Sequence, residues 1–139
     1  MSVYRSTFSI DTKGNCDIID ITPQIKKAVF ECKIKEGLVN VFVIGSTASI
    51  TTIEYESGLI KDIKNILDKL IPANKDYEHH KRWHDDNGHS HIRASIIGPD
   101  VTIPISNSNL LLGTWQQIVL IDFDTRARTR EIVITCIGN

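Results

Sequence analysis

Residues 90–138 read SHIRASIIGPDVTIPISNSNLLLGTWQQIVLIDFDTRARTREIVITCIG, and this stretch decides the fold. It divides into short β-rich segments: SHIRASIIG, VTIPI, LLLG, TWQQIVLIDFD and TREIVITCIG. SNSN supplies a hairpin turn between VTIPI and LLLG. In SHIRASIIG the side chains alternate, so Ser90, Ile92, Ala94 and Ile96 read as the core side of a strand. His89, His91, Arg93 and Ser95 then share the opposite side. Arg126, Arg128 and Arg130 alternate in RARTR and read as a solvated edge strand. Trp115, beside Gly113, reads as a core anchor, with a stacking platform as the alternative.

Upstream, SVYRSTFSI alternates like a half-buried strand and ends at the turn Thr12–Asn15, and CDIIDI reads as a second strand. Thr22 offers an N-cap and Pro23 a first helical position. Ile25, Ala28, Val29 and Cys32 recur at helical spacing up to Gly37, which is read as the stop. LVNVFVIG is a continuous apolar run suited to a strand buried on both faces, and ITTIEYE is a further strand. A second helix follows Ser57, with Leu59, Ile63, Ile66, Leu67 and Leu70 as its apolar stripe. Asn74–Gly88 is polar, lacks periodicity and reads as a long loop of the kind that carries function. The expectation is one α+β domain over residues 1–139, with two helices, about eight strands and sandwich-like antiparallel or mixed β-sheets.

Composition narrows the classes of function. A net charge of -1 gives no electrostatic case for nucleic acid or a membrane surface. Cys16, Cys32 and Cys136 are odd in number and widely spaced, with no CxxC pair, which fits a reducing cytosol. The opening residues show no basic stretch followed by an apolar run, and no apolar run is long enough to span a membrane. A cytoplasmic protein is expected. No Walker sequence, GxGxxG or Ser-His-Asp spacing is present.

All five histidines fall within HHKRWHDDNGHSH, residues 79–91. Histidine titrates near neutrality and is the commonest metal ligand. Two imidazoles at i and i+2 on a strand face could share a zinc ion, with His80 or His84 as a third ligand. The competing roles are acid–base catalysis or phosphate binding without metal. Arg93, on the same expected face, is placed to clamp a phosphate or carboxylate. Asp86 and Asn87 could orient imidazoles or act on substrate. In GSTASITTIEYE, Gly45 permits a tight strand end and the following turn can present backbone N–H groups to an anion. Glu54, in the strand after it, needs a partner if buried. The plainer readings are a solvated histidine-rich loop, a hydroxyl-rich turn and an outward-facing Glu54.

DYEHHKRWHDDNGHSHIRASIIGPDVTIPISNSNLLLGTWQQIVLIDFD, with GSTASITTIEYESGL, resembles the YjbQ-like family, and NGHSHIRAS and LGTWQ are the specific blocks. The resemblance covers essentially the whole chain. It implies a sandwich-like α+β homotrimer with a site near a subunit boundary. Members are associated with a secondary thiamine-phosphate synthase activity, in which a hydroxymethylpyrimidine diphosphate joins a thiazole phosphate and pyrophosphate leaves. The matching positions are His80, Asp86, Asn87, His89, His91 and Arg93, with Thr47 and Glu54 from the earlier block. On this reading His80, His89 and His91 bind metal or phosphate, and Glu54, Asp86, His89 and His91 form the catalytic set. Thr47, Asn87 and Arg93 contact a small phosphorylated substrate. Zinc suits the histidines, whereas magnesium would arrive with the diphosphate and meet carboxylates such as Glu54 or Asp86. The rival expectation is a non-catalytic homotrimer that binds a metal or phosphometabolite.

Overall fold

β8, Arg128–Gly138, is an inner strand of the larger of two sheets in the computed structural model, which describes residues 1–139. It pairs antiparallel with β1 (Ser2–Thr12) from Ser2↔Gly138 to Thr12↔Arg128. On its other side it pairs with β3 (Gly37–Ile44) from Gly37↔Gly138 to Ile44↔Glu131. β5 (Asp100–Ser106) and the two-residue β6 (Asn109–Leu110) complete a sheet of order β1-β8-β3-β5-β6. The smaller sheet has order β2-β7-β4, from Asp17–Asp20, Gln117–Asp122 and Ala48–Ile53. Every pairing is antiparallel.

β7 explains the layering. Ile118, Val119, Leu120 and Ile121 are all buried, which requires cover on both faces. Ile118 and Leu120 join Ile50 in one core with Val39, Val41, Ile132 and Ile134 of the large sheet. Ile25, Ala28 and Val29 of α1 (Thr22–Cys32) pack into the same core. Val119 and Ile121 face the other way, into a second core with Cys16, Phe123, Leu67 and Ala94. Leu67 comes from α2 (Ser57–Leu70) and Ala94 from α4 (Gly88–Ile97), so the helices form a third layer over the small sheet. Each buried aliphatic side chain contributes roughly 1.5–3 kcal/mol relative to exposure. No helix is long and apolar enough to cross a membrane.

The single α+β domain and its eight strands agree with the sequence reading, but several local expectations are overturned. There are four helices, because the expected long loop contains α3 (Glu78–Trp83) and SHIRASIIG is α4. Ser90, Arg93 and Ala94 are buried at i, i+3 and i+4, which is helical spacing. Small residues at Ser90 and Ala94 let α4 lie close to the sheet, where Ser90 Oγ donates to the Phe123 carbonyl and Ser49 Oγ donates to the Ala94 carbonyl at 3.2 Å. Gly98, at φ 95°, ends the helix. Trp115 is not a core anchor: it is 73% exposed. RARTR is not an edge strand, since Arg130 sits inside β8 and is buried. On α2, Ile66 and Leu70 face solvent, and Ile60, Ile63 and Leu67 meet the core. Gly37 opens β3, and α1 ends earlier at Lys33 in the left-handed conformation.

Candidate functional site

Chain reversal between α3 and α4 assembles the histidines. His84 and Asp86 take positive φ of 55° and 54°, turning the chain back on itself. The end of α3 then faces the start of α4, and His79 Nδ1 lies 3.1 Å from Asp85 Oδ1. His80 Nδ1 lies 3.0 Å from Asp86 Oδ1 and 3.2 Å from the Asp86 backbone nitrogen. A neutral His80 ring accepts the N–H, and a protonated one donates to the carboxylate. Gly88 is required where the two segments meet, because a Cβ there would lie 2.7 Å from Tyr77 Cβ.

Helical geometry separates the two histidines expected to act together. Residues two apart on a helix are about 200° apart around the axis. His89 therefore turns inward beside Arg93, and His91 turns toward α3, where its ring lies 4.4 Å from that of His79. His89 is only 4% exposed and its Nδ1 has no hydrogen-bond partner. Burial depresses its pKa, and Arg93 adds to the effect against partial offsets from Asp124, Asp68 and Asp86. Burial also lowers the His91 pKa, reinforced by His79. Both rings are thus biased toward the neutral form, which can accept or donate a proton near neutral pH.

Two cavities flank this helix start. The first, of about 540 Å³, is lined by His80, Asp86 and His89 together with Asn15, Asn74, Lys75, Asp76 and Thr125. The second, of about 470 Å³, lies between the β3–β4 turn and α4, with His91, Gly45, Ser46 and Ser95 in its wall.

A buried charge network lies beneath both. Arg130 donates to Asp122 through Nε at 2.7 Å and Nη2 at 2.8 Å. Nη2 also donates to Thr47 Oγ1 at 2.7 Å, and that hydroxyl donates onward to Asp124 at 3.0 Å. Arg128 Nε meets Asp124 at 2.9 Å, and Thr12 Oγ1 donates to Asp122 at 2.6 Å. Burial pushes the Asp124 pKa up, but donors from Thr125, Asn87, Thr47 and Arg128 outweigh it and hold the carboxyl at about 2. Burial of Asp122 is likewise outweighed by Arg130, Thr12 and the Asp124 N–H, and its pKa is lowered. Asn87 lies between two carboxylates. Its amide nitrogen is 3.4 Å from Asp124 Oδ1, or, with the amide rotated, 3.0 and 3.1 Å from the oxygens of Asp85.

The family model for UPF0047 protein YjbQ-like matches residues 6–139. The chain belongs to the UPF0047 family. A UPF0047 relative from Methanocaldococcus jannaschii is 38% identical, with 100% of this chain and 99% of the relative covered. One from Archaeoglobus fulgidus is 35% identical over 91% of this chain and 95% of the relative. The crystal structure of a YbjQ-like protein of unknown function from Sulfolobus solfataricus superposes with a TM-score of 0.94 at 31% identity, covering 99% of both chains. A YjbQ/UPF0047 structure from Clostridium acetobutylicum gives a TM-score of 0.87 at 38% identity, covering 95% of this chain and 99% of that one.

Of the residues that carry the UPF0047 resemblance, His80, Asp86 and His89 converge on one cavity, and Asn87 is buried against Asp124. Arg93 does not present an anion clamp: its guanidinium donates to the Ile71 carbonyl at 2.7 and 3.1 Å and to Asp68 at 3.2 Å, tying α2 to α4. The Thr47 hydroxyl is spent inside the charge network. Glu54 is exposed just past β4 and lines a separate surface hollow with Trp115 and Gln116. No three His, Cys, Asp or Glu side chains stand together in an arrangement that could hold a metal ion. The expected three-histidine zinc site relied on a strand that is a helix, and these residues do not fit it. Asp122, Asp124, Arg128 and Arg130 are not among the residues that the sequence motifs point to. The signal was present, since IDFD ends a buried apolar strand and buried carboxylates require cations nearby.

Proposed function

We propose that this chain is an enzyme acting on a small phosphorylated substrate in the cavity lined by His80, Asp86 and His89. The observation that carries the reading is His89 Nδ1. A buried polar atom without a partner costs free energy that a bound ligand would recover. His89 is biased toward neutrality, Asp86 and His80 form an adjacent pair, and Lys75 brings a cation to the same wall. This set suits loss of a phosphorylated leaving group, whose growing charge needs donors and cations. The reaction to test first is the family-associated one, in which the bond to pyrophosphate breaks as the pyrimidine carbon bonds to the thiazole. Magnesium carried by the diphosphate belongs to the substrate on this reading.

The test is pyrophosphate release from the pyrimidine diphosphate and thiazole phosphate, in the native chain and in His89→Gln. Turnover by the native protein, lost by at least a hundredfold in His89→Gln with unchanged circular dichroism, is the expected result. A His89→Gln protein of native activity would refute the assignment. A non-catalytic homotrimer that binds the phosphometabolite is the second reading. It is favoured by the exposed apolar residues Leu38, Phe42 and Ile44 along β3, which a second copy could cover. Ligand-induced stabilisation without turnover, and a trimer mass by light scattering, would select it.

A further inference from the structure

The second cavity carries a feature that the proposed chemistry at His89 does not use. Arg130 is 7% exposed, and its Nε and Nη2 are engaged by Asp122 and Thr47. Its Nη1 has no partner. That nitrogen lies 2.7 Å from where a Cβ on Gly45 would be, so the missing side chain at Gly45 leaves it uncovered. Gly45 lines the cavity and takes a φ of 142°, a backbone conformation that L side chains rarely adopt. The N–H groups of Gly45, Ser46 and Thr47 donate to no backbone carbonyl. Successive free N–H groups at a turn make an anion-binding concavity. The exposed Ser46 lies in the same wall, and the His91 ring borders the cavity from α4.

We infer that the β3–β4 turn, Arg130 Nη1 and the His91 side of α4 form a phosphate subsite. The Gly45 and Ser46 N–H groups, the Ser46 hydroxyl and the His91 imidazole belong to residues of the cavity wall, and Arg130 Nη1 and the Thr47 N–H stand directly behind Gly45 and Ser46, so several donors gather on one side of the cavity. A tetrahedral oxyanion with three or four free oxygens matches that number better than a planar carboxylate with two. No carboxylate lines this cavity, and Asp122 and Asp124 below it are already neutralised by Arg128 and Arg130. The cavity of about 470 Å³ exceeds a bare phosphate and leaves room for the small organic group that carries it. The subsite does not depend on the reaction proposed at His89, because it lies on the other side of α4.

The test is a titration of the ¹⁵N-labelled full chain with inorganic phosphate at constant ionic strength, with acetate in parallel. Saturable downfield movement of the Gly45, Ser46 and Thr47 amides by phosphate is expected, with acetate weaker. Ser46→Asp places a carboxylate at an exposed position in the wall and should weaken phosphate binding by about tenfold or more, like charges being costly at close range. Gly45→Ala should do the same by covering Nη1, and Ser46→Asp keeps the proposal falsifiable if Gly45→Ala does not fold. The proposal is overturned by amides that do not move at tens of millimolar phosphate. It is equally overturned by movement confined to Asn15 and Thr125 of the other cavity, by equal binding of acetate, or by a Ser46→Asp protein of native affinity.

Discussion

Arg130→Met is the substitution that most directly probes what holds the site together. Arg130 is the cation for Asp122, which is 0% exposed, and its Nη2 supports Thr47, which in turn supports Asp124 at 1% exposed. Methionine keeps much of the apolar stem and removes only the guanidinium. The remaining Asp122 carboxylate is then buried with Thr12 and the Asp124 N–H as its only donors. Removing one partner of a buried pair costs about 3–5 kcal/mol, against a total stability of about 5–15 kcal/mol for a domain. For a chain of this size that is a fall of roughly 10–20 °C in Tm. Neutralising the orphan should recover much of the loss, so Asp122→Asn with Arg130→Met is expected to be more stable than Arg130→Met alone. The pH dependence has a defined sign. In the native chain the Asp122 pKa is lowered, so its contribution is present above the ordinary carboxylate pKa and is lost as pH falls. Without Arg130, burial raises the Asp122 pKa, so the variant gains relative stability on acidification and the gap narrows from pH 7 to pH 4. Urea unfolding at several pH values measures all three quantities. A loss below about 1 kcal/mol, or a gap that ignores pH, would show that Asp122 is not held as described.

Three further outcomes follow from the same geometry. Asp124, lowered from 3.8 to about 2, contributes stability that is present above pH 4 and is lost as pH falls toward 2, a term of about 2 kcal/mol; Asp124→Asn should flatten the acid limb of the urea midpoint, and an unchanged limb would contradict this. Gly88→Ala drives a Cβ to within 2.7 Å of Tyr77 Cβ and should cost about 1–3 kcal/mol by thermal unfolding, whereas a midpoint within a degree of native would mean that α3 moves freely. Trp115→Ala removes a side chain that is 73% exposed, so dilute protein should lose under about 0.5 kcal/mol; a loss of 2 kcal/mol or more would show that a second copy covers it.

The strands were legible because their burial follows simple patterns. IVLI in β7 is apolar throughout because it has a sheet on one side and helices on the other, and the β1 alternation matches its single buried face. α4 was misread because Ser90, Ile92, Ala94 and Ile96 satisfy a period of two as well as Ser90, Arg93, Ala94 and Ile97 satisfy a helical one. Over ten residues with no strong N-cap, only tertiary contact decides between them, here Ser90 against Phe123 just past β7 and Ala94 against Ser49 of β4. That misreading carried through to function, because a strand unites His89, His91 and Arg93, whereas a helix pairs His89 with Arg93 and sends His91 away. The histidine cluster itself was visible from composition. The carboxylates and arginines that anchor it were not, because IDFD and RARTR border strands of different sheets, β7 and β8, and no local pattern records that the turn between them sets Asp124 against Arg128 and Asp122 against Arg130.

α4 therefore separates two cavities. Its inward side carries His89 and Arg93, both buried, and His89 Nδ1 on that side has no hydrogen-bond partner. Its other side brings His91 to the wall of the second cavity, across from a turn whose Gly45, Ser46 and Thr47 N–H groups have no backbone partner. Both sides are fixed by the same residues, because Ser90 ties the helix to Phe123 and Asn87 reaches Asp124, while Asp124, Thr47 and Arg130 continue to Gly45. A change in the charge network should consequently disturb the His89 environment and the Gly45 turn together. In Arg130→Met the His89 ring resonances and the Gly45 amide should both shift, whereas Trp115→Ala should move neither. Movement of one without the other would show that the two cavities are held independently.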